Sequence, residues 1–130
     1  QLQIKKLIET INKLKSFENI LEKFLPDIYT TLKKLNIYPL LYAYRWFNIL
    51  FGQEHELPVL LMIWDALFSH IDNIVQYSFY VGVAHLKVIG NMIVPDSFPK
   101  SIEVIQNMNV PNALAVVKEA NIMWNKKEKK

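Results

Sequence analysis

Residues 44–68 read YRWFNILFGQEHELPVLLMIWDALF. Two apolar runs of helical length flank a short polar insert, Gln53-Glu54-His55-Glu56. Pro39 leads into the first run and fits the opening turn of a helix, where its missing N–H would find no intrahelical partner anyway. Gly52 is the expected stop. Leu40, Tyr44, Phe47 and Phe51 fall on one side of this helix, and Tyr42, Trp46 and Ile49 on another. The second run opens at Leu57-Pro58 and extends to about Ser69. Its Leu60, Leu61, Ile63, Trp64, Leu67 and Phe68 occupy nearly the whole circumference. A helix apolar on most faces is one surrounded by other helices, so these two are expected at the centre of an all-α domain. Arg45 and Asp65 are the charges they carry. An unpaired charge in such a place costs several kcal/mol, so Arg45 is expected to be buried against Asp65, Glu54 or both.

Outward from this stretch the pattern stays helical. Ile4, Leu7, Ile8, Ile11 and Leu14 form one stripe between lysines and a glutamate, which predicts an amphipathic helix. Ser16 is a candidate cap for the following turn, with Glu18 well placed for the helix dipole. Pro26-Asp27 opens another helix through Ile28, Leu32 and Leu35, which Asn36 is suited to stop. Downstream, Asp72 is the candidate cap of a long apolar helix to about Ile93. Its β-branched residues and Gly82 leave a two-strand reading open, but no alternation persists and the helix is preferred. Residues 95–99 read as a loop, Ser101–Met108 as a short helix, and Pro111 as the start of a last helix through Leu114, Val117 and Ile122 to Trp124. The expectation is a compact all-α bundle of about seven helices, without internal repeats.

Composition narrows the function. The net charge of +3 is fully accounted for by Lys126, Lys127, Lys129 and Lys130 less Glu128, so residues 1–125 are neutral, with 11 basic and 11 acidic side chains. Residues 126–130 therefore read as a solvated basic tail. A nucleic-acid surface needs its cations gathered on one folded face, and that class is set aside. Cys is absent, which excludes disulfides and thiolate metal sites and fits a cytosolic protein. The opening residues lack the apolar core of a cleavable signal. Ile74–Val94 has the length of a membrane span, but His85 and Lys87 near its middle favour a buried core helix. With Gln1 in place of an initiator Met, a piece of a longer protein is expected.

Catalytic constellations are weak. Trp46 and Trp64 lie among apolar neighbours and read as core rather than as a stacking site for a ligand. Glu54, His55 and Glu56 cluster in the insert, with His70 and Asp72 further along, but metal-ligand spacing is missing and a solvated loop is the simpler reading. Ser69 and His70 are sequence neighbours, a poor arrangement for nucleophile and base on a helix. No cofactor, metal or catalytic residue is assigned.

The order Arg45-Trp46, Leu50-Phe51, Glu54, Leu57-Pro58 and Ile63-Trp64-Asp65 resembles the C-terminal half of the TBC domain, the module of GTPase-activating proteins for Rab GTPases. The resemblance extends from about Asp27 to Trp124 and is most specific over residues 36–68. His55 departs from it, standing where that family usually has an aromatic residue. The resemblance implies a Rab-family small GTPase as partner, a role in vesicle trafficking, and a cytoplasmic location peripheral to endomembranes through that partner. It also implies catalysis by an arginine finger and a glutamine finger, which place charge and a water against the γ-phosphate. The finger motifs of the family are Ile-x-x-Asp-x-x-Arg and Tyr-x-Gln. Arg45 is the single arginine, preceded by Pro39 and Tyr42 at the motif positions, and none of the six tyrosines has glutamine two residues on. Residues 1–125 are thus expected to be the C-terminal part of such a domain, with Arg45, Trp46, Glu54, Trp64 and Asp65 as structural motif residues. A catalytically inactive helical scaffold that binds a GTPase or another partner is the alternative.

Overall fold

The computed structural model of the chain describes residues 2–108, 110 and 112–127. Among the described residues seven α-helices make up the fold: α1 (Leu2–Phe24), α2 (Pro26–Lys34), α3 (Pro39–Asn48), α4 (Leu57–Phe68), α5 (Ile74–Ile89), α6 (Phe98–Gln106) and α7 (Ala113–Lys126). Single 3-10 turns, Ile71–Asn73 and Gly90–Met92, flank α5. No strand occurs among the described residues, so the region with the two-strand alternative is helical. Pro111 and residues 128–130, where the last helix and the end of the basic tail were placed from sequence, lie outside the described residues.

The centre of the bundle is α5, not the α3–α4 pair. Every residue from Tyr77 to Leu86 is buried, and α1, α3, α4, α6 and α7 all pack against this helix. Small side chains make that enclosure possible. Ser78, Gly82 and Ala84 let neighbours approach on several sides, and a Cβ on Gly82 would lie 2.9 Å from Cε1 of Phe17 and 3.0 Å from Cζ of Phe47. By contrast α4, more apolar in sequence, presents Leu57, Leu61 and Phe68 to solvent at 67%, 55% and 52% exposure. Only Leu60, Ile63 and Leu67 of α4 are buried. Its large side chains on all faces leave just one face able to approach the body. Leu40, Leu41 and Tyr44 of α3 are likewise exposed.

Three further boundaries differ from the sequence reading. Ser16 starts nothing: α1 runs unbroken through it, burying Leu14, Phe17 and Leu21 while Ile4, Leu7, Ile8 and Ile11 stay exposed. The cap position of α5 is Asn73 rather than Asp72. Helix α6 begins at Phe98, where the Ser97 hydroxyl accepts the Lys100 amide. Asn36 does end α2, in the left-handed region at φ 60°, with the Ile37 amide returning to the Leu32 carbonyl at 2.9 Å.

Several long-range contacts tie the last two helices to the rest. The Tyr77 hydroxyl donates to Asn121 Oδ1 at 2.6 Å. Lys87 pairs with Glu119. The Gln106 side-chain amide donates to the Leu41 carbonyl at 3.3 Å. Among the described residues no single helix is long and apolar enough to cross a membrane.

Candidate functional site

The segment between α3 and α4 folds back over the bundle, and its path begins with an unusual helix end. Helix α3 stops at Asn48, four residues short of Gly52. Leu50 and Phe51 then take left-handed conformations, with φ of 50° and 64°. The Phe51 amide closes the helix by donating to the Trp46 carbonyl at 2.7 Å, as in a Schellman motif, but with leucine where glycine is usual. Each left-handed non-glycine residue costs roughly 1–2 kcal/mol. The cost is offset by what these two residues gain: Phe51 is fully buried, and the Leu50 carbonyl accepts the Trp64 indole N–H at 2.8 Å.

This turn delivers Glu54 to α3. Arg45 donates from Nε to Glu54 Oε2 at 2.8 Å and from Nη2 to Oε1 at 2.9 Å, a bidentate pair. The Trp46 indole donates to the same Oε1 at 3.2 Å. Arg45 Nη2 also reaches the Gln106 carbonyl at 3.3 Å, linking α3 to α6. The two partners differ in exposure: the Glu54 side chain is 1% exposed and that of Arg45 45%. The hydrogen bond to Glu54 raises the guanidinium pKa, with a smaller opposing effect of burial. Arg45 is therefore paired as its chemistry demands but is not buried. Its charge covers the carboxylate from the solvent side. Asp65 takes no part, since it is exposed on the outer face of α4.

Trp46 is the packing hub beneath this pair. It is fully buried, and its ring lies 5.0 Å from Tyr42, 5.8 Å from Phe51 and 5.8 Å from His85. Trp64, half-buried on α4, holds the turn from outside and does not join that cluster. The structure thus brings Arg45, Trp46 and Glu54 together, attaches Trp64 through the backbone of Leu50, and leaves Asp65 apart.

A histidine pair adjoins the hub, and the sequence did not reveal it. His55 Nε2 lies 2.7 Å from Nε2 of His85, which is fully buried on α5. The Nδ1 of His85 faces the Val81 carbonyl at 2.7 Å. A carbonyl only accepts, so Nδ1 carries the proton, Nε2 of His85 accepts, and His55 donates. Phe51 stacks on His85 with ring centroids 4.6 Å apart. Burial, helped by neighbouring His55 and opposed by the Val81 carbonyl, pushes the His85 pKa down to about 3. Burial also lowers that of His55, against the pull of Glu54. The only signal in the sequence was a histidine inside an apolar helix. Such a residue needs a polar partner, and the unusual His55 supplies it.

At the end of α4 the Ser69 hydroxyl and His70 Nδ1 both sit on the Ala66 carbonyl, at 2.7 and 3.1 Å. His70 also stacks on Tyr77 at 3.7 Å. These contacts finish a helix and arrange no nucleophile. Among the described residues no three metal-ligating side chains converge.

A model of the Rab-GTPase-TBC domain family matches residues 2–94, and the chain belongs to that family. The match starts at α1, earlier than the Asp27 boundary read from sequence, and stops before α6 rather than at Trp124. Among curated relatives, TBC1 domain family member 13 of Homo sapiens is 28% identical over 101 residues, covering 78% of this chain and 25% of that protein. TBC1 domain family member 5 of Mus musculus is 32% identical over 92 residues, 71% of this chain and 11% of that protein. The chain thus spans a quarter or less of the length of these relatives. No solved structure matches significantly.

Proposed function

We propose that residues 1–125 form the C-terminal part of a TBC domain that activates a Rab-family small GTPase, and that their role there is structural. On this reading the arginine and glutamine fingers lie in an N-terminal half of the domain, and the bundle of α1–α7 supports them. The observation that carries the proposal is the state of the single arginine. Arg45 spends its guanidinium on Glu54 and the Gln106 carbonyl, and a finger must keep its guanidinium free for phosphate oxygens. Arg45, Trp46 and Glu54 instead hold the α3–α4 turn in one conformation. Trp64 braces the same turn, and Asp65 is left for contacts outside the bundle. A Rab partner would also place the protein at the cytoplasmic face of endomembranes, in vesicle trafficking.

Arginine and glutamine fingers accelerate hydrolysis by roughly 10³–10⁵, so the test is decisive in scale. The chain alone should give no stimulation of GTP hydrolysis across a Rab panel. Joined to the N-terminal half of its domain, it should stimulate at least one member if that half carries both finger motifs. Stimulation by the chain alone would overturn the structural role. A joined protein with both fingers intact but inactive on a broad panel would favour the second reading, a helical scaffold without catalysis. That reading draws on the absence of both finger motifs from these 130 residues.

A further inference from the structure

The turn between α3 and α4 is fastened to the bundle by several side chains, and one of these fastenings takes up protons. Glu54 is held by Arg45 and by the Trp46 indole. Next to it, half-buried His55 meets fully buried His85, Nε2 to Nε2, at 2.7 Å. His85 spends its Nδ1–H on the Val81 carbonyl, and Phe51 and Trp46 lie against its ring at 4.6 and 5.8 Å. Two nitrogens at this separation have room for one proton between them. With both rings neutral, that proton is the one His55 donates. An added proton goes to the other ring nitrogen of His55 and leaves the contact intact. A second one has to land on Nε2 of His85, where two N–H groups would then face each other. The closed pair therefore accepts one proton at most, and the two rings separated in water accept two.

From this count we infer that the His55–His85 contact is an acid-released latch: as pH falls, residues 52–56 swing off α5 while the bundle beneath them stays folded. A state that binds more protons gains population on acidification, whatever the first step of opening costs. Few charges act on the pair. Among the described residues His55 alone acts on His85 by its charge, and Glu54 alone on His55. Helices α1, α4, α6 and α7, which also pack on α5, bring no charge to either ring. Lys87 of α5 is committed to Glu119 and Arg45 of α3 to Glu54. Arg45 lies on the solvent side of Glu54, so it can follow that carboxylate outward, and the Trp46 contact is the one given up. The latch acts on the turn that Arg45, Trp46 and Glu54 fix, and it does not depend on any GTPase partner.

Amide hydrogen exchange of the full chain, followed by NMR at several pH values, tests this. The Gly52 and Glu54 amides, bonded to the Ile49 and Phe51 carbonyls, report the turn, and the buried amides of α5 report global unfolding. After correction for intrinsic exchange, protection at Gly52 and Glu54 should fall at least about tenfold between about pH 7 and pH 5. It should be indifferent to about 1 M urea, because a local opening exposes little surface, while the α5 amides respond to it. In His55→Phe/His85→Phe the fall should vanish. In His85→Gln, whose side-chain oxygen can still accept from His55 but takes no proton, the fall should shrink severalfold. No fall in the parent would overturn the inference. So would a fall that urea enlarges in step with α5, because the whole domain would then be unfolding. A fall of full size in either variant would overturn it as well, by placing the responsible proton elsewhere.

Discussion

Helices α4 and α5 are both apolar by sequence and meet opposite fates. The twelve residues of α4 include one charge, Asp65, and one small side chain, Ala66, whereas α5 includes His85 and Lys87. Hydropathy alone puts α4 at the centre. The structure puts α5 there, buried from Tyr77 to Leu86, and leaves α4 half in solvent. The difference lies in the volume of the side chains rather than in their polarity. A helix enclosed on all sides needs places where neighbouring helices can come close, and Ser78, Gly82 and Ala84 provide them. His85, Tyr77 and Ser78 are tolerable there because each has a partner: His85 with Val81 and His55, Tyr77 with Asn121, Ser78 with the Val75 carbonyl.

The largest test of this contrast is a matched pair of truncations. Leu86→Ala on α5 should cost roughly 2–5 kcal/mol, because Leu86 is fully buried and its truncation leaves a cavity. Leu61→Ala on α4 should change stability by about 0.5 kcal/mol or less, since Leu61 is 55% exposed. Urea denaturation midpoints decide it, and equal losses would erase the distinction.

A second, smaller effect comes from pH. His85 is buried neutral with its pKa lowered from 6.5 to about 3. The unfolded chain therefore takes up the proton first. The stability is fully present above pH 6.5 and is lost as pH falls through that value toward 3. The loss approaches about 1.4 kcal/mol per pH unit, or roughly 2 kcal/mol by about pH 5. Replacing both rings, His55→Phe/His85→Phe, keeps the stack with Phe51 and should flatten that slope. Denaturation at several pH values checks it, and an unchanged slope would show that other groups carry the acid sensitivity.

The smallest effect concerns the close approach itself. Gly82→Ala should gain about 1 kcal/mol in helix propensity and lose about 1–3 kcal/mol to overpacking against Phe17 and Phe47. The expected net is a loss of about 1 kcal/mol, read from thermal melting. A stabilised variant would mean that the two rings can move aside, and that α5 is less tightly held than its burial suggests.

Much of the architecture was legible in the sequence because it rests on local signals. Pro26, Pro39 and Pro58 mark helix starts, Asn36 marks a stop, and the 3.6-residue spacing of apolar residues gives the helices between them. Which helix lies at the centre was not legible, since that depends on how several faces share one volume. The end of α3 was misread for a related reason. Gly52 is the residue best suited to a left-handed turn, yet Leu50 and Phe51 adopt it because tertiary contacts to Trp64 and the core offset the strain. At the site, the pairing of Arg45 followed from electrostatics, but its exposure did not. The sequence says that a charge needs a partner, and only the fold says that Glu54 would be the buried one. The His55–His85 contact joins residues thirty positions apart, beyond any local pattern.

The ties from Tyr77, Lys87 and Arg45 to Asn121, Glu119 and Gln106 all cross residue 94, where the family match ends. The family model is therefore matched over a shorter stretch than the one these contacts hold together. A polypeptide trimmed to the recognisable segment would strip α5 of the cover provided by Val116, Ala120 and Met123 of α7. The cut would leave its own signature motif intact while removing the roof from the helix on which that motif rests.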